Sequence, residues 1–467
     1  MVAFGLIDEW DPAPGRLTGW VASPESAARA RLAPVHPAPP SHQQEQYLRL
    51  AAQHAAAEFR YSGLCLVTAE IPTGDLDRAA MTRAVNAFLL RHDTFRTWFR
   101  LGSGGALERH LVPESDVDFV PVEYGWVDDP ATVRDHVQKT TPGPFDWDCF
   151  TFGVIEREGS TTLYLAVDHL HTDGFGQYLS GFDLALLYAH EVWDETPETL
   201  HPAARYVDYC TAERAYTDRM SLTSPGVRKW LELIRGNGGT LPSFPLDLGR
   251  RTDIYNRSAH RTVTLFDEDT AARFERRCRA NGAEFVGGVF AAVALAEREI
   301  ADSDYYFGMT PVTTRSTAAE RASVGWYVTL LPVAFPLGLS TSFDRIVKRA
   351  QHAYENGLRL TTTSFQRVVE LLPADTDLDL NPGWACPMIS YVDARELPGN
   401  EFFDMASCGL YTNRAASEQV LIWINRLATG TTLSVIHPDT PVAHDSVARY
   451  VTRLEAVFAA AAREQQS

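Results

Sequence analysis

Within five residues the sequence places His169, His171 and Asp173, with Gly174 and Gly176 directly behind them (VDHLHTDGFGQYL, Val167 to Leu179). Imidazole is neutral near pH 7 and can take a proton from an attacking hydroxyl or amine. His169 stands where an apolar run, TTLYLAV, ends. Asp173, four residues on, could orient a histidine or fix the turn through an arginine. The same residues admit a metal reading: on an extended backbone His169, His171 and Asp173 alternate, and zinc or iron accepts such ligands. Gly174 and the helix that begins there argue for a turn instead, and no HExxH or cysteine cluster accompanies them. GxSxG, GxGxxG and GxxxxGK[ST] are all missing, which removes the nucleophile elbow and the common nucleotide fingerprints.

A rigid element is expected on each side of that turn. TTLYLAV reads as a buried strand, adjacent to a strand in FDWDCFTFGVIERE (145–158) and joined to it at Gly159-Ser160. Phe175, Leu179, Phe182 and Leu186 recur at helical spacing, so a helix should run to about Trp193 before a Pro-rich break at 194–204. Upstream, Pro-Pro-Ser followed by Gln43, Gln44 and Glu45 looks like a helix start. YSGLCLVTAEI (61–71) reads as a strand, and Leu76, Ala80, Ala84 and Phe88 form one helical stripe. That stripe breaks near Arg91-His92 and gives way to a strand, TFRTWF. Residues 115–144 read as a polar connection with short elements.

Downstream, a helical run (205–235) ends in RGNGGTLPSFPLDLG, the clearest boundary in the chain. Strands are expected at 260–266, 304–315, 324–335, 386–395, 418–426 and 431–439. Helices are expected at 270–280, 285–300 and 445–459, the second with small residues suited to close packing. Each half thus has a sheet with helices, a layered α/β pattern without sequence repeat.

At 467 residues the chain exceeds what one core usually serves, and 45% apolar with 22% charged residues is ordinary globular composition. A net charge of −18 argues against a nucleic-acid surface. The six cysteines (Cys65, Cys149, Cys210, Cys278, Cys386, Cys408) are scattered, without CxxC, and read as buried packing. No secretion signal and no run of eighteen apolar residues is visible, so a cytoplasmic enzyme with no membrane span is expected.

DHLHTDGFG resembles the HHxxxDG motif of the condensation-domain superfamily, which includes chloramphenicol acetyltransferase-like and polyketide-associated acyltransferases. The motif's second histidine falls on His169; its first is replaced by Asp168. Four other stretches follow in the family's order: SHQQEQYL, the RHxxLRTxF-like RHDTFRTWF, YFGMTPVTTR and VGWYVTLLPVAF. In the third, Arg315 occupies the position of the arginine that pairs with the motif aspartate.

The resemblance implies an α/β two-layer fold: two chloramphenicol acetyltransferase-like halves forming a V-shaped pseudo-dimer with a central substrate tunnel. Residues 1–193 would be the first half, 194–258 a crossover and linker, and 259–467 the second half. His169 would act as general base, or would position the nucleophile, as an alcohol or amine attacks an acyl thioester. Asp173 would pair structurally with Arg315, and Gly174 would allow close approach, its N–H near the oxyanion. Asp168, Trp326, Tyr327 and Ser390 are candidates to line the tunnel, with core packing an equal account of the two aromatics. Arg91, His92 and Arg96 would hold the first half together.

No cofactor is implied. The donor would be a phosphopantetheine-linked acyl group on an acyl or peptidyl carrier protein, or a coenzyme A thioester. The opening DEWDPAPGRLTGWVAS is similar to polyketide-associated acyltransferases, which favours ester formation in natural-product biosynthesis over amide formation. An epimerase-like carrier-bound reaction and a degenerate carrier-protein-binding module are the other classes considered, the latter prompted by Asp168.

Overall fold

The apolar run before His169 forms the middle strand of a seven-stranded sheet. The computed structural model describes residues 2–56, 63–72, 76–102, 104–193, 200–250, 256–338, 342–373, 376, 378, 387–403, 405–415 and 417–463. In chain order the first elements are β1 (Ala3–Leu6), β2 (Gly15–Ala22), α1 (Pro24–Ala30), β3 (Val35–His36), α2 (His42–Ala56), β4 (Leu64–Ile71) and α3 (Arg78–Arg91). Next come β5 (Thr97–Leu101), β6 (Leu107–Leu111), β7 (Phe119–Val127), α4 (Pro130–Thr140), β8 (Phe150–Arg157), β9 (Ser160–Asp168), α5 (Gly174–Trp193) and α6 (Tyr206–Thr217). They are followed by α7 (Pro225–Gly236), β10 (Ser258–Asp267), α8 (Glu268–Ala280), α9 (Phe285–Ala301), β11 (Tyr305–Thr313), α10 (Ala318–Arg321) and β12 (Val328–Pro336). The last are α11 (Phe343–Leu358), α12 (Phe365–Glu370), β13 (Met388–Asp393), β14 (Gly409–Thr412), β15 (Leu421–Leu427), β16 (Gly430–Pro438) and α13 (Pro441–Ala461).

The chain divides into two compact units, neither of them continuous in sequence. The first comprises Met1–Tyr216, Arg315–Tyr327 and Leu397–Ala415; the second comprises Thr217–Thr314, Val328–Glu396 and Ala416–Ser467. In the first, the sheet order is β1-β14-β4-β9-β8-β2-β7. β9 pairs antiparallel with β4 (Leu64 opposite Asp168) and with β8 (Arg157 opposite Ser160). Its side chains are buried on both faces. Leu163, Leu165 and Val167 pack with Phe88, Leu179 and Leu184 of α3 and α5, while Tyr164 and Ala166 pack with Val133 and Val137 of α4. Cover on both faces is why the strand reads as a continuous apolar run instead of an alternating one.

The second unit holds a six-stranded sheet, β10-β16-β15-β13-β11-β12. One side is packed by α8, α9, α11 and α13, the other by α7 and α12. In α9, added Cβ atoms at Gly287 and Gly288 would collide with Gln351 and with Cys278, so the small residues do serve close helix contacts.

Several expectations need correction. The polar connection at 115–144 contains a nine-residue edge strand, β7, and the eleven-residue α4, whose apolar residues (Val133, Val137) are few because one narrow face is buried. TFRTWF begins as a 3₁₀ turn over Asp93–Arg96 and becomes a strand only at Thr97. The helical run at 205–235 is two helices, broken at Ser221–Ser224. β14, four residues long, gave no sequence signal, yet it lies between β1 and β4 in the first sheet. Cys65, Cys149, Cys210 and Cys278 are buried free thiols and Cys408 is half-buried; Cys386 lies outside the described residues. Among the described residues, no helix is long and apolar enough to cross a membrane.

Candidate active site

Two carboxylates fold the turn that carries His169. Asp168, the last residue of β9, accepts the Leu170 N–H on Oδ1 (3.0 Å), which winds His169–His171 into one 3₁₀ turn. Asp173 accepts the Gly176 N–H on its own Oδ1 (2.7 Å) and so starts α5. Between them, the His169 N–H donates to the Gly63 carbonyl at the mouth of β4 (2.7 Å). His169 is therefore held by its own N–H, with a carboxylate bracing the turn on either side, while the residue is only half-buried.

The imidazole lies in an aromatic corner of the first unit. Its centroid is 4.3 Å from the half-buried Trp326 ring and 6.5 Å from Tyr47, and these two pack edge to face at 5.5 Å. Nδ1 is enclosed without a hydrogen-bond partner, which leaves Nε2 as the nitrogen open to a substrate. Burial holds the imidazole below the usual histidine range, offset in part by the neighbouring backbone and the Asp173 charge.

Asp173 does not touch this ring. Its Oδ2 receives Arg315 Nη1 (2.7 Å) and the Tyr327 N–H (2.9 Å). Arg315 also donates to the carbonyls of Ser323 and Gly325 and lies over the Phe175 and Tyr327 rings. The chain returns to the first unit at Arg315–Tyr327, and this ion pair anchors that excursion beside the motif. His171 points the other way. It is fully buried on Thr94 Oγ1 (3.1 Å) and stacked on Phe95, and burial, with the Arg109 charge, pushes it down to about 3. His169, His171 and Asp173 thus diverge, and among the described residues no group of three ligating side chains is placed to share an ion.

The remaining candidates separate in the same way. Asp168 and Tyr327, expected to line a channel, are fully buried, the first folding the turn and the second packing on Tyr206 and Cys210. Ser390 is a buried residue of β13 in the second unit, opposite Trp423 of β15. Gly174 is exposed, with no atom within 4 Å of where a Cβ would stand. His92 and Arg91 converge on Asp183 Oδ2 (3.0 and 2.9 Å), and Arg96 holds the Val112 carbonyl.

Sequence reasoning missed Gln44, Tyr47 and Asp183. Gln44, fully buried, donates to the Leu170 carbonyl (3.0 Å) and accepts from the buried Arg109 (2.9 Å). The signal was available in SHQQEQYL, where Gln44, Tyr47 and Leu48 fall on one helical face. What that face meets is set by chain folding, not by spacing.

The described geometry sits within a sequence that matches the family model for the condensation domain over residues 49–391. The chain belongs to the condensation-domain family. Among curated members it is 36% identical to trehalose-2-sulfate acyltransferase PapA2 of Mycobacterium tuberculosis, over 98% of this chain and 97% of that protein. It is 33% identical to acyltransferase PapA3 of the same organism, over 100% and 98%. The solved structure of a PapA2 acyl transferase superposes with a TM-score of 0.92 at 35% identity, covering 99% of this chain and all of that one. Like these condensation-domain relatives, the chain is an acyltransferase.

Proposed function

We propose that this acyltransferase moves an acyl group from a thioester to a sugar hydroxyl, forming an ester, with His169 as general base. The observation that carries the reading is the half-buried His169, enclosed at Nδ1 and not at Nε2, on a turn where the N–H groups of Asp168, His169, Leu170 and Thr172 are all hydrogen-bonded. A lowered basicity keeps this ring neutral at neutral pH. With its proton on Nδ1, the Nε2 lone pair takes the hydroxyl proton as the oxygen attacks the thioester carbonyl. The C–O bond forms, the C–S bond breaks, and the imidazolium returns the proton to the leaving thiolate. The open space at Gly174 and its N–H, first in α5 and so without an intrahelical acceptor, suit the carbonyl oxygen as charge develops on it.

The sugar acceptor is supported by PapA2, whose name specifies trehalose 2-sulfate. The donor is read as an acyl chain on a carrier protein, with coenzyme A as the other thioester handle. Intact-mass analysis tests both ends of the reaction. Wild type and His169→Ala would be given donors on carrier protein and on coenzyme A, against trehalose, its 2-sulfate, simple alcohols and amines. An ester made by wild type and not by the variant supports the reading; an amide as the preferred product, or full turnover by His169→Ala, overturns it.

A further inference from the structure

One face of α2 holds the His169 turn. Gln44, Tyr47 and Leu48 share that face, and each meets the motif: Gln44 at the Leu170 carbonyl, Leu48 in the cluster with Leu170, and Tyr47 at Asp168. The Tyr47 hydroxyl donates to Asp168 Oδ2 (3.1 Å) and accepts the Gly63 N–H (2.7 Å). Gly63 in turn accepts the His169 N–H on its carbonyl (2.7 Å). Tyrosine oxygen, Gly63 peptide, His169 backbone and Asp168 carboxylate therefore close a ring around the residue that bears the imidazole. There is no slack in it: a Cβ on Gly63 would come 2.9 Å from the Tyr47 oxygen and 3.1 Å from His169 Cβ.

The tyrosine hydroxyl has one proton: it goes to Asp168 Oδ2, and an oxygen lone pair is kept for the Gly63 N–H. Both side chains are buried, Asp168 completely, where a hydrogen bond is stronger than in water and costly to leave unmade. We propose that Tyr47, acting through Asp168, is a positioning residue for the reaction: the pair fixes the imidazole against the acceptor hydroxyl, in the place where the family motif has its first histidine. The proposal rests on His169 being the base. It gives the Asp168 departure a physical role, since the aspartate is the acceptor that the tyrosine requires.

Steady-state kinetics on Tyr47→Phe, Asp168→Asn and the double variant test this, alongside His169→Ala and hydrogen–deuterium exchange of the peptide spanning 164–172. A displacement of an ångström or less at a reacting group costs roughly 10–10²-fold, so Tyr47→Phe should lose that much kcat with KM within about two-fold. Exchange at His169 should quicken while the thermal midpoint holds, and the double variant should be little worse than Tyr47→Phe alone. Wild-type kcat in Tyr47→Phe, with His169→Ala inactive, overturns the proposal and leaves the base assignment standing. An active His169→Ala overturns both. If Tyr47→Phe lowers the midpoint as well as kcat, Asp168→Asn decides, because it keeps an acceptor for Leu170. Loss of kcat at an unchanged midpoint supports the positioning role, and parallel loss of both overturns it.

Discussion

Asp173 and Arg315 are 142 residues apart in sequence and 2.7 Å apart in space, with side chains only 3% and 2% exposed. The carboxylate accepts three donors here, from Arg315, Gly176 and Tyr327, and makes no hydrogen bond to the imidazole. Removing one member of a buried pair strands the other charge, at a cost of about 3–5 kcal/mol. Arg315→Ala and Asp173→Ala should each lose that order of stability in urea unfolding, and folding yield should drop. Loss of turnover without loss of stability would instead make Asp173 a participant in the chemistry.

The pH dependence of turnover follows from the imidazole. Burial lowers the His169 value below 6.5, so the neutral, proton-accepting form persists to lower pH than for a free histidine. The acidic limb of kcat/KM should therefore turn below 6.5 and flatten above it. An inflection above 6.5 would contradict a desolvated base.

His171 makes a separate prediction about stability. Burial and the Arg109 charge set it at about 3, against 6.5 when unfolded. Between those values the unfolded chain binds a proton that the folded chain refuses, so stability is complete above 6.5 and falls as the pH falls towards 3. His92 is also held low, chiefly by burial, and adds with the same sign. Thermal midpoints measured from pH 7.5 down to 5 should decline, and His171→Gln should flatten the decline. A midpoint that is level across this range would rule the effect out.

The two motif glycines should behave oppositely. A Cβ at Gly176 would stand 2.7 Å from Thr172 Oγ1, 3.3 Å from Asp173 Oδ1 and 3.4 Å from the Gly325 carbonyl, inside the bonds that start α5. Gly176→Ala should lose about 1–3 kcal/mol through overpacking. At Gly174 nothing lies within 4 Å, so Gly174→Ala should melt like wild type. If the acyl carbonyl passes that point, the same variant raises KM or lowers kcat. Unchanged kinetics would place the carbonyl elsewhere.

The sequence alone determined the parts of this enzyme whose signal is local. A continuous apolar run meant a strand covered on both faces, and helical spacing after Gly174 meant α5. The ordered motifs from SHQQEQYL to VGWYVTLLPVAF carried the family. What spacing left open was direction. His169, His171 and Asp173 alternate in the sequence, but a 3₁₀ turn between a strand and a helix sends them to an open corner, a buried Thr94 and an Arg315 ion pair. Only the tertiary structure decided that Asp168 turns inward to meet Tyr47, and that four residues near position 410 complete the first sheet. Such contacts form between segments more than a hundred residues apart, where burial and hydrogen-bond satisfaction choose the partner and no local pattern records the choice.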